Sequence, residues 1–139
     1  MAGVVLNVIP KRVFDFTNFA VGSTPSYTVV QRIDVSQYTD GVLEVRFHVN
    51  NIPGGNTVSV NIFGDGYTDE DPASQFTTLT PLFAGLSVSG PQQAFIGTSG
   101  GTVYGHYAVI VVSATMASAI TTAVTLSADL VLRSPDDSL

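Results

Sequence analysis

Residues 43–50 read LEVRFHVN, and their strict alternation of apolar and polar side chains decides the fold class. Leu43, Val45 and Phe47 fall on one face of an extended segment, and their polar neighbours fall on the other face. The same alternation recurs in residues 57–62 (TVSVNI) and in residues 124–130 (VTLSADL). Each of these segments is therefore predicted to be a half-buried β-strand.

Other short strands are predicted along the rest of the chain, and turn-forming residues separate them. Residues 51–56 (NIPGGN) are expected to close a hairpin, and Ser99-Gly100-Gly101 is expected to break a strand. No segment shows a convincing helical stripe. We therefore predict an all-β fold, an antiparallel β-sandwich of about 8–10 strands with jelly-roll topology. The further strands are predicted at residues 4–9, 12–16, 27–35, 76–80, 82–88, 93–97 and 103–113.

The composition fits one domain with its own core, spanning residues 1–139. The chain is 45% hydrophobic and 12% charged, it has no Cys, and its formal net charge is −6. Its five basic residues are scattered apart from the adjacent Lys11 and Arg12. Nucleic acids and anionic membranes attract clustered cations, so we expect neither of them as a partner.

Two apolar segments bear on where the protein is made. Residues 107–128 carry no charge and are long enough to span a bilayer, but Ser and Thr interrupt them. Two strands joined by a turn near Ala117 and Ser118 explain this segment better than a membrane helix. No basic residue precedes the apolar run at residues 4–9, which is the wrong order for a secretory signal. We therefore expect a protein made in the cytoplasm.

Apolar side chains occupy both faces of two predicted strands. Residues 107–112 fit a central strand that is covered on both sides, whereas residues 3–9 are harder to bury in so small a domain. We therefore predict that residues 1–10 form an intersubunit strand or arm. A monomer whose loops cover its own sheet edges is the alternative. The predicted contact residues are Val4, Val5, Leu6, Val8 and Ile9, with Phe19 as an additional anchor.

The most polar stretch is residues 64–72 (GDGYTDEDP). Closely spaced carboxylates and loop carbonyls supply the oxygen ligands that calcium prefers, although the spacing is not that of an EF-hand. This loop is either simply solvated or a calcium site formed by Asp65, Asp69 and Asp71. No other cofactor is expected.

Catalytic patterns are sparse. Residues 97–101 (GTSGG) resemble the stretch around the nucleophile of chymotrypsin-like proteases, and His48, then Asp65 or Asp69, precede Ser99 in that family's order. The chain is too short for the two barrels that this family needs. Glu44 and Asp129 are the strand acids available for glycoside hydrolysis, by elimination only. We predict no catalytic residue and no enzyme.

Residues 30–36 (VQRIDVS) lead into residues 41–46 (GVLEVR), and the chain closes on a short acidic tail at residues 134–139 (SPDDSL). This pattern resembles bacteriophage virion proteins of the decoration or cement type. The resemblance implies a non-enzymatic jelly-roll subunit that self-associates and binds a shell of major capsid protein, and the acidic surface fits an outer position. The alternative is a carbohydrate-binding module with a calcium loop. Its sugar contacts would come from Tyr27, Tyr38, Tyr67, Tyr104 and Tyr107, because Trp is absent.

Overall fold

A computed structural model describes residues 3–17, 19–48, 50–52, 55–64, 80–89, 91–92, 94–103, 107–117 and 123–134. These residues form ten β-strands, and none of them belongs to a helix that is long and apolar enough to cross a membrane. The strands are β1 (Gly3–Asp15), β2 (Ser26–Asp34), β3 (Asp40–Phe47), β4 (Asn50–Asn51), β5 (Thr57–Gly64), β6 (Thr80–Ser89), β7 (Pro91–Gln92), β8 (Phe95–Thr102), β9 (Tyr107–Thr115) and β10 (Ala123–Arg133).

The strands form two four-stranded antiparallel sheets. Sheet A has the order β1-β10-β3-β8, sheet B has the order β2-β9-β5-β6, and β4 pairs with β7. The pairs are nested along the chain: β1 with β10, β2 with β9, β3 with β8, β4 with β7 and β5 with β6. The described chain is thus one long hairpin rolled into a sandwich, which is the jelly-roll arrangement. The predicted jelly-roll sandwich is confirmed.

Nested pairing also corrects two local predictions. The hairpin expected at residues 51–56 is wrong, because β3 lies in sheet A and β5 lies in sheet B. Consecutive strands here belong to the same arm of the long hairpin, and each pairs with the opposite arm. The predicted break at Ser99-Gly100-Gly101 is also wrong, since all three residues lie within β8.

The core lies between the two sheets and is built from the inward positions of the alternating segments. Leu43, Val45 and Phe47 of β3 are fully buried, as are Leu126 and Leu130 of β10. Burying an aliphatic or aromatic side chain of this size contributes roughly 1.5–3 kcal/mol, so these rows supply much of the stability.

The strand β9 has a different pattern of burial. It lies between β2 and β5, and its three consecutive residues Ala108, Val109 and Ile110 are all buried. Both faces of the strand are therefore covered at this point, as predicted for a central strand.

Two bulges interrupt β1, and the first of them explains why the adjacent apolar residues Val8 and Ile9 are both buried. The register against β10 shifts between Asn7 and Ile9 and again before Arg12, and each shift leaves one extra residue on β1. The first bulge brings both Val8 and Ile9 into the core, with 8% and 0% of their surface exposed. The strands predicted at residues 4–9 and 12–16 therefore form a single bulged strand.

The strands β6 and β8 close one side of the sandwich. Gly97 and Gly101 lie opposite inward-facing residues of β3. A Cβ atom on Gly97 would lie 3.2 Å from Leu86 Cδ2, and one on Gly101 would lie 3.5 Å from Phe83 Cβ. Because both side chains are missing, Leu86 and Phe83 of β6 pack directly against the backbone of β8.

Polar contacts join three interstrand links at one end of the sandwich. Asn56 is fully buried, and its Oδ1 accepts a hydrogen bond from the Ala117 amide at 2.7 Å. Gly55 before it has a φ of +88°, a conformation that favours glycine. The Met116 amide donates to the Ser23 carbonyl at 3.0 Å. The links before β2, β5 and β10 are thereby tied together.

Replacing Asn56 with Ala is expected to lower the free energy of unfolding by about 1–3 kcal/mol, because the Ala117 amide loses its acceptor. Urea denaturation followed by circular dichroism measures the change. Ser59→Ala, on the outer face of β5, is the matched control and is expected to change stability by less than about 0.5 kcal/mol. Equal losses in both variants would contradict a specific role for the Asn56 hydrogen bond.

Replacing Gly97 with Val is expected to lower the free energy of unfolding by about 1–3 kcal/mol, because the added side chain collides with Leu86. Thr98→Val places the same side chain on the exposed outward face of the same strand and serves as the control. The collision predicts that Leu86→Ala costs less in the Gly97→Val background than in the wild type. A strictly additive double-mutant cycle would rule out direct packing between these positions.

Candidate interaction surface

The outer face of sheet A carries a row of apolar residues that crosses all four strands. Val5 of β1 is opposite Val131 of β10, Val131 is opposite Val42 of β3, and Val42 is opposite Gly100 of β8. Val5 exposes 66% of its surface and Val42 exposes 38%, while Val131 is half-buried. We name these four residues the valine row. Together they form an apolar band on the solvent side of the sheet.

The valine row leads into a shallow groove of about 650 Å³ that Val42, Val131 and Gly100 help to line. The groove exists because β8 carries no side chain at position 100. A Cβ atom there would lie 2.8 Å from the Gly41 carbonyl oxygen, so the close approach of β3 and β8 requires glycine. Asp40 and Arg133 line the end of the groove. The floor of the groove is therefore apolar, and its rim carries one negative and one positive side chain.

A polar row lies beside the valine row. It runs from Asn7 through Asp129 and Glu44 to Thr98. Asn7 Nδ2 donates to Asp129 Oδ1 at 2.8 Å, and the Arg46 guanidinium lies 3.8 Å from the Glu44 carboxylate. The two acids considered for glycoside hydrolysis are therefore adjacent on an open sheet face, each held by a neighbour, and they do not face each other across a cleft.

A smaller hollow of about 310 Å³ lies further along the same face. Arg46, His48, Ala94 and Ile96 line it, and Ile96 exposes 52% of its surface. The outer face of sheet A therefore carries apolar surface near both ends, with the polar row between them.

An aromatic cluster fills the gap between β1 and the start of β2. The Tyr27 ring lies 5.3 Å from the Phe16 ring and 6.2 Å from the Phe14 ring, measured between centroids. The Arg12 guanidinium lies 4.4 Å above the Phe14 ring, a cation–π contact. Phe14 and Phe16 are buried, whereas Phe19, 6.4 Å from Phe16, exposes 39% of its surface.

The carboxylate of Asp15 lies at the end of β1 beside this cluster. The hydroxyl and the amide of Thr17 both donate to Asp15 Oδ1, the amide at 2.8 Å. These two hydrogen bonds, the hydroxyl first, lower the pKa of Asp15 below its ordinary value because they stabilise the charged form.

The predicted contact residues occupy different environments. Val4 and Leu6 are partly buried and pack against the core, whereas Val5 lies on the outer face. Val8 and Ile9 are core residues, so the chain's own fold already covers them. Contact between the predicted residues and a neighbouring subunit stays a prediction. The structure limits the predicted contact to Val4, Val5, Leu6 and Phe19, whose side chains are at least partly exposed.

Several other predicted residues fall outside the described part of the chain. These include all three residues of the predicted calcium site, the acidic tail after Ser134, and two of the five tyrosines. The aspartates and tyrosines outside the described part of the chain are Asp65, Asp69, Asp71, Tyr67 and Tyr104. Among the described residues, no three His, Asp or Glu side chains converge on a point that would hold a metal ion.

The fold does not bring the residues of the protease-like pattern together. Ser99 is opposite Leu43, a core residue, and so it faces the space between the sheets. His48 directly follows the inward-facing Phe47, the last residue of the adjacent strand β3, and is five residues beyond Leu43. That offset corresponds to about 17 Å along the sheet, on the opposite face.

Val5 of the valine row was predicted from the sequence, but Val42 and Val131 were not. Val42 and Val131 occupy outward positions, next to the inward-facing Leu43 and Leu130. In the sequence the only trace of this is that adjacent residues are apolar within otherwise alternating strands, as in Val42-Leu43 and Leu130-Val131-Leu132. That trace was the available signal.

No protein-family model matches the sequence, and no curated protein matches it. Two solved structures share the fold, one of infectious bursal disease virus Gx strain and one of its Gt strain. The Gx chain is 9% identical with a TM-score of 0.60, and the match covers 96% of this chain and 33% of that chain. The Gt chain is 10% identical with a TM-score of 0.56, over 94% of this chain and 31% of that chain.

These likenesses show the fold alone, and this chain spans about a third of the length of the two viral chains. A carbohydrate-binding module (CBM6) of a laminarinase from Zobellia galactanivorans is 11% identical, over 94% of this chain and 99% of that chain. Its TM-score is 0.44.

Replacing Thr17 with Val is expected to raise the pKa of Asp15 towards its ordinary value, because the hydroxyl donor is lost and only the amide remains. A carboxyl ¹³C NMR titration measures the pKa directly. Since the folded-state pKa is depressed, the stability that the ionised carboxylate contributes is present at neutral pH and is lost as the pH falls through that pKa. Thr28→Val on β2 is the control, and an unchanged Asp15 titration in Thr17→Val would contradict the assignment.

Proposed function

We propose that this protein is a non-enzymatic structural subunit that acts through protein–protein assembly. Its proposed setting is a virion, as a decoration, cement or other head or tail accessory subunit. Its proposed partners are copies of itself and a larger protein assembly such as a capsid shell, with no nucleic acid, membrane or cofactor.

The valine row is the observation that carries this proposal. Scattered exposed apolar residues are ordinary, but here Val5, Val131 and Val42 lie side by side on three of the four strands of sheet A and lead into a groove. Removing such a band from water favours association, and the charged rim of Asp40 and Arg133 adds specificity. A partner surface that fits the groove would bury all of these residues at once.

Fold and chemistry support the same proposal. The jelly roll is shared with chains in two structures of a virus, and jelly rolls serve widely as shell-building domains. The acids Asp129 and Glu44 are engaged by Asn7 and Arg46 on an open face. Such an arrangement is suited to a contact surface. Glycoside hydrolysis would instead need two carboxylates that face each other across a bound sugar.

Contacts at other sites refine the proposal. Val4, Val5 and Leu6 retain surface on β1, and Phe19 presents an exposed edge of the aromatic cluster. We assign intersubunit contact to these residues, whereas Val8 and Ile9 support them from the core.

Sedimentation velocity over a range of protein concentrations tests the proposal. The wild-type protein is expected to form species heavier than its 14.6 kDa chain, and their fraction is expected to rise with concentration. Val42→Asp puts a charge into the valine row and is expected to weaken the larger assemblies by about tenfold, equivalent to about 1.4 kcal/mol. Thr98→Asp, exposed on the same face but in the polar row, is the matched control.

A chain that stays at 14.6 kDa at every concentration would contradict self-assembly. If that monomer were also retained on a polysaccharide resin in the presence of calcium, the carbohydrate-binding alternative would replace the proposal. If Val42→Asp and Thr98→Asp weakened assembly equally, the valine row would not be part of the contact surface.

A further inference from the structure

The two sheets have four edge strands, and three of them are either interrupted by bulges or already packed against the other sheet. The strand β8 keeps a regular register with β3, but Leu86 and Phe83 of β6 pack over its inward positions Gly97 and Gly101, so β8 has no large inward side chain there for a partner to bury. Register shifts leave extra residues on β2 and on β6, so neither strand offers a long regular edge. Bulges interrupt the register that pairing with another chain requires, and a strand without large inward side chains gains little burial from such pairing.

The remaining edge strand, β1, has a protected half and an open half. Its bulges, together with Pro10 and Lys11, interrupt the edge in the middle of the strand. Beyond them, Tyr27 covers the end of the strand, and its hydroxyl donates to the Asp15 carbonyl at 3.0 Å. The edge of residues 3–7, in contrast, keeps a regular register with β10, and no other described strand pairs with it. We name residues 3–7 the open edge segment.

We propose that the open edge segment pairs antiparallel with the open edge segment of a second copy of this chain, about a two-fold axis at Val5. This inference deepens the proposed function by naming the partner and the contact of one assembly step. The two copies of sheet A then form one continuous sheet of eight strands, four from each chain.

The open edge segment is self-complementary in this arrangement. Val5 lies opposite Val5 of the second copy, while Val4 lies opposite Leu6 of the second copy. Val4 and Leu6 are only partly buried in one chain, where they pack against the core at the rim of the sandwich. The pairing completes their burial, and it joins the two hydrophobic layers without a gap.

Two further features favour a second copy over a strand of different sequence. Because the two-fold axis is perpendicular to the sheet, the outer faces stay on the same side, and the valine row continues from one chain into the next. The open edge segment also carries no charge, so two chains of formal net charge −6 approach each other at a neutral site. An isologous contact of this kind closes at the dimer.

The arrangement makes a test by charge complementation possible. Directly opposite residues of antiparallel strands lie about 4.5–5.5 Å apart, so Val5→Asp and Val5→Lys each place two like charges together. Each variant alone is expected to raise the dimer dissociation constant about tenfold or more, measured by sedimentation velocity. An equimolar mixture of Val5→Asp and Val5→Lys is expected to recover the dimer as a heterodimer.

Val13→Asp is the matched control, because Val13 lies on the same strand and the same face with 57% exposure, but beyond the bulges. It is expected to leave the dimer unchanged. A second readout uses the absence of cysteine from the chain. Val5→Cys is expected to form a disulfide-linked dimer under mild oxidation at micromolar concentration, whereas Val13→Cys is not.

The outcomes separate this inference from the broader proposal. If the wild type associates but the Val5 and Val13 variants behave alike, or if the mixture does not restore the dimer, the edge pairing is overturned and the structural function stands. If the wild type stays monomeric, both are overturned. Loss of the larger assemblies in Val42→Asp with the dimer intact supports both.

Discussion

Pairing between the two halves of the chain is the constraint on which the structure depends. Every strand of the first half is hydrogen-bonded to its counterpart in the second half, from β5 with β6 outward to β1 with β10. In sheet A this places β10 and β3 in the centre, and in sheet B it places β9 and β5 there. Central strands are regular and contribute the buried rows, so position within the roll decides which residues form the core.

The register shifts of the two sheets are found at the edge strands. Each register shift in the described sheets lies in a pair that includes an edge strand, and the extra residues fall on β1, β2 and β6. The fourth edge strand, β8, is also regular, and β6 packs against its inward glycines. Residues 3–7 combine an unbroken register with three apolar side chains that keep exposed surface, which gives a physical reason for locating assembly there.

The fold class was predictable from the alternation of apolar and polar residues, because a strand with one face in the core has an apolar side chain at every second position. Residues 43–47 lie in β3 as predicted, and their inward members are fully buried. Strand order was not predictable, since alternation states which face is buried but not which strand lies alongside. The hairpin expected at residues 51–56 failed for this reason: Gly55 supplies a turn, but the turn leads from one sheet to the other.

The candidate surface was only partly predictable. Apolar residues on both faces of β1 pointed to it, but a bulge, which has no clear sequence signature, took Val8 and Ile9 into the core. Val131 was hidden within an otherwise alternating strand, and its alignment with Val42 depends on long-range register. Gly100 read as a turn residue, whereas it serves the close contact of two strands.

The nested pairs also bear on the order in which the chain acquires structure. Joining Gly3 to Arg133 in an unfolded chain would close a loop of nearly the whole sequence, at a high entropic cost. Once the inner pairs exist, the same closure spans only the short links, so each pair lowers the cost of the next one, as in a zipper. The outermost pair benefits most from this sequence of events. The strand β1, which presents the open edge segment, is thus expected to pair with β10 last. The regular edge that could pair with other chains then forms only when the rest of the subunit has folded.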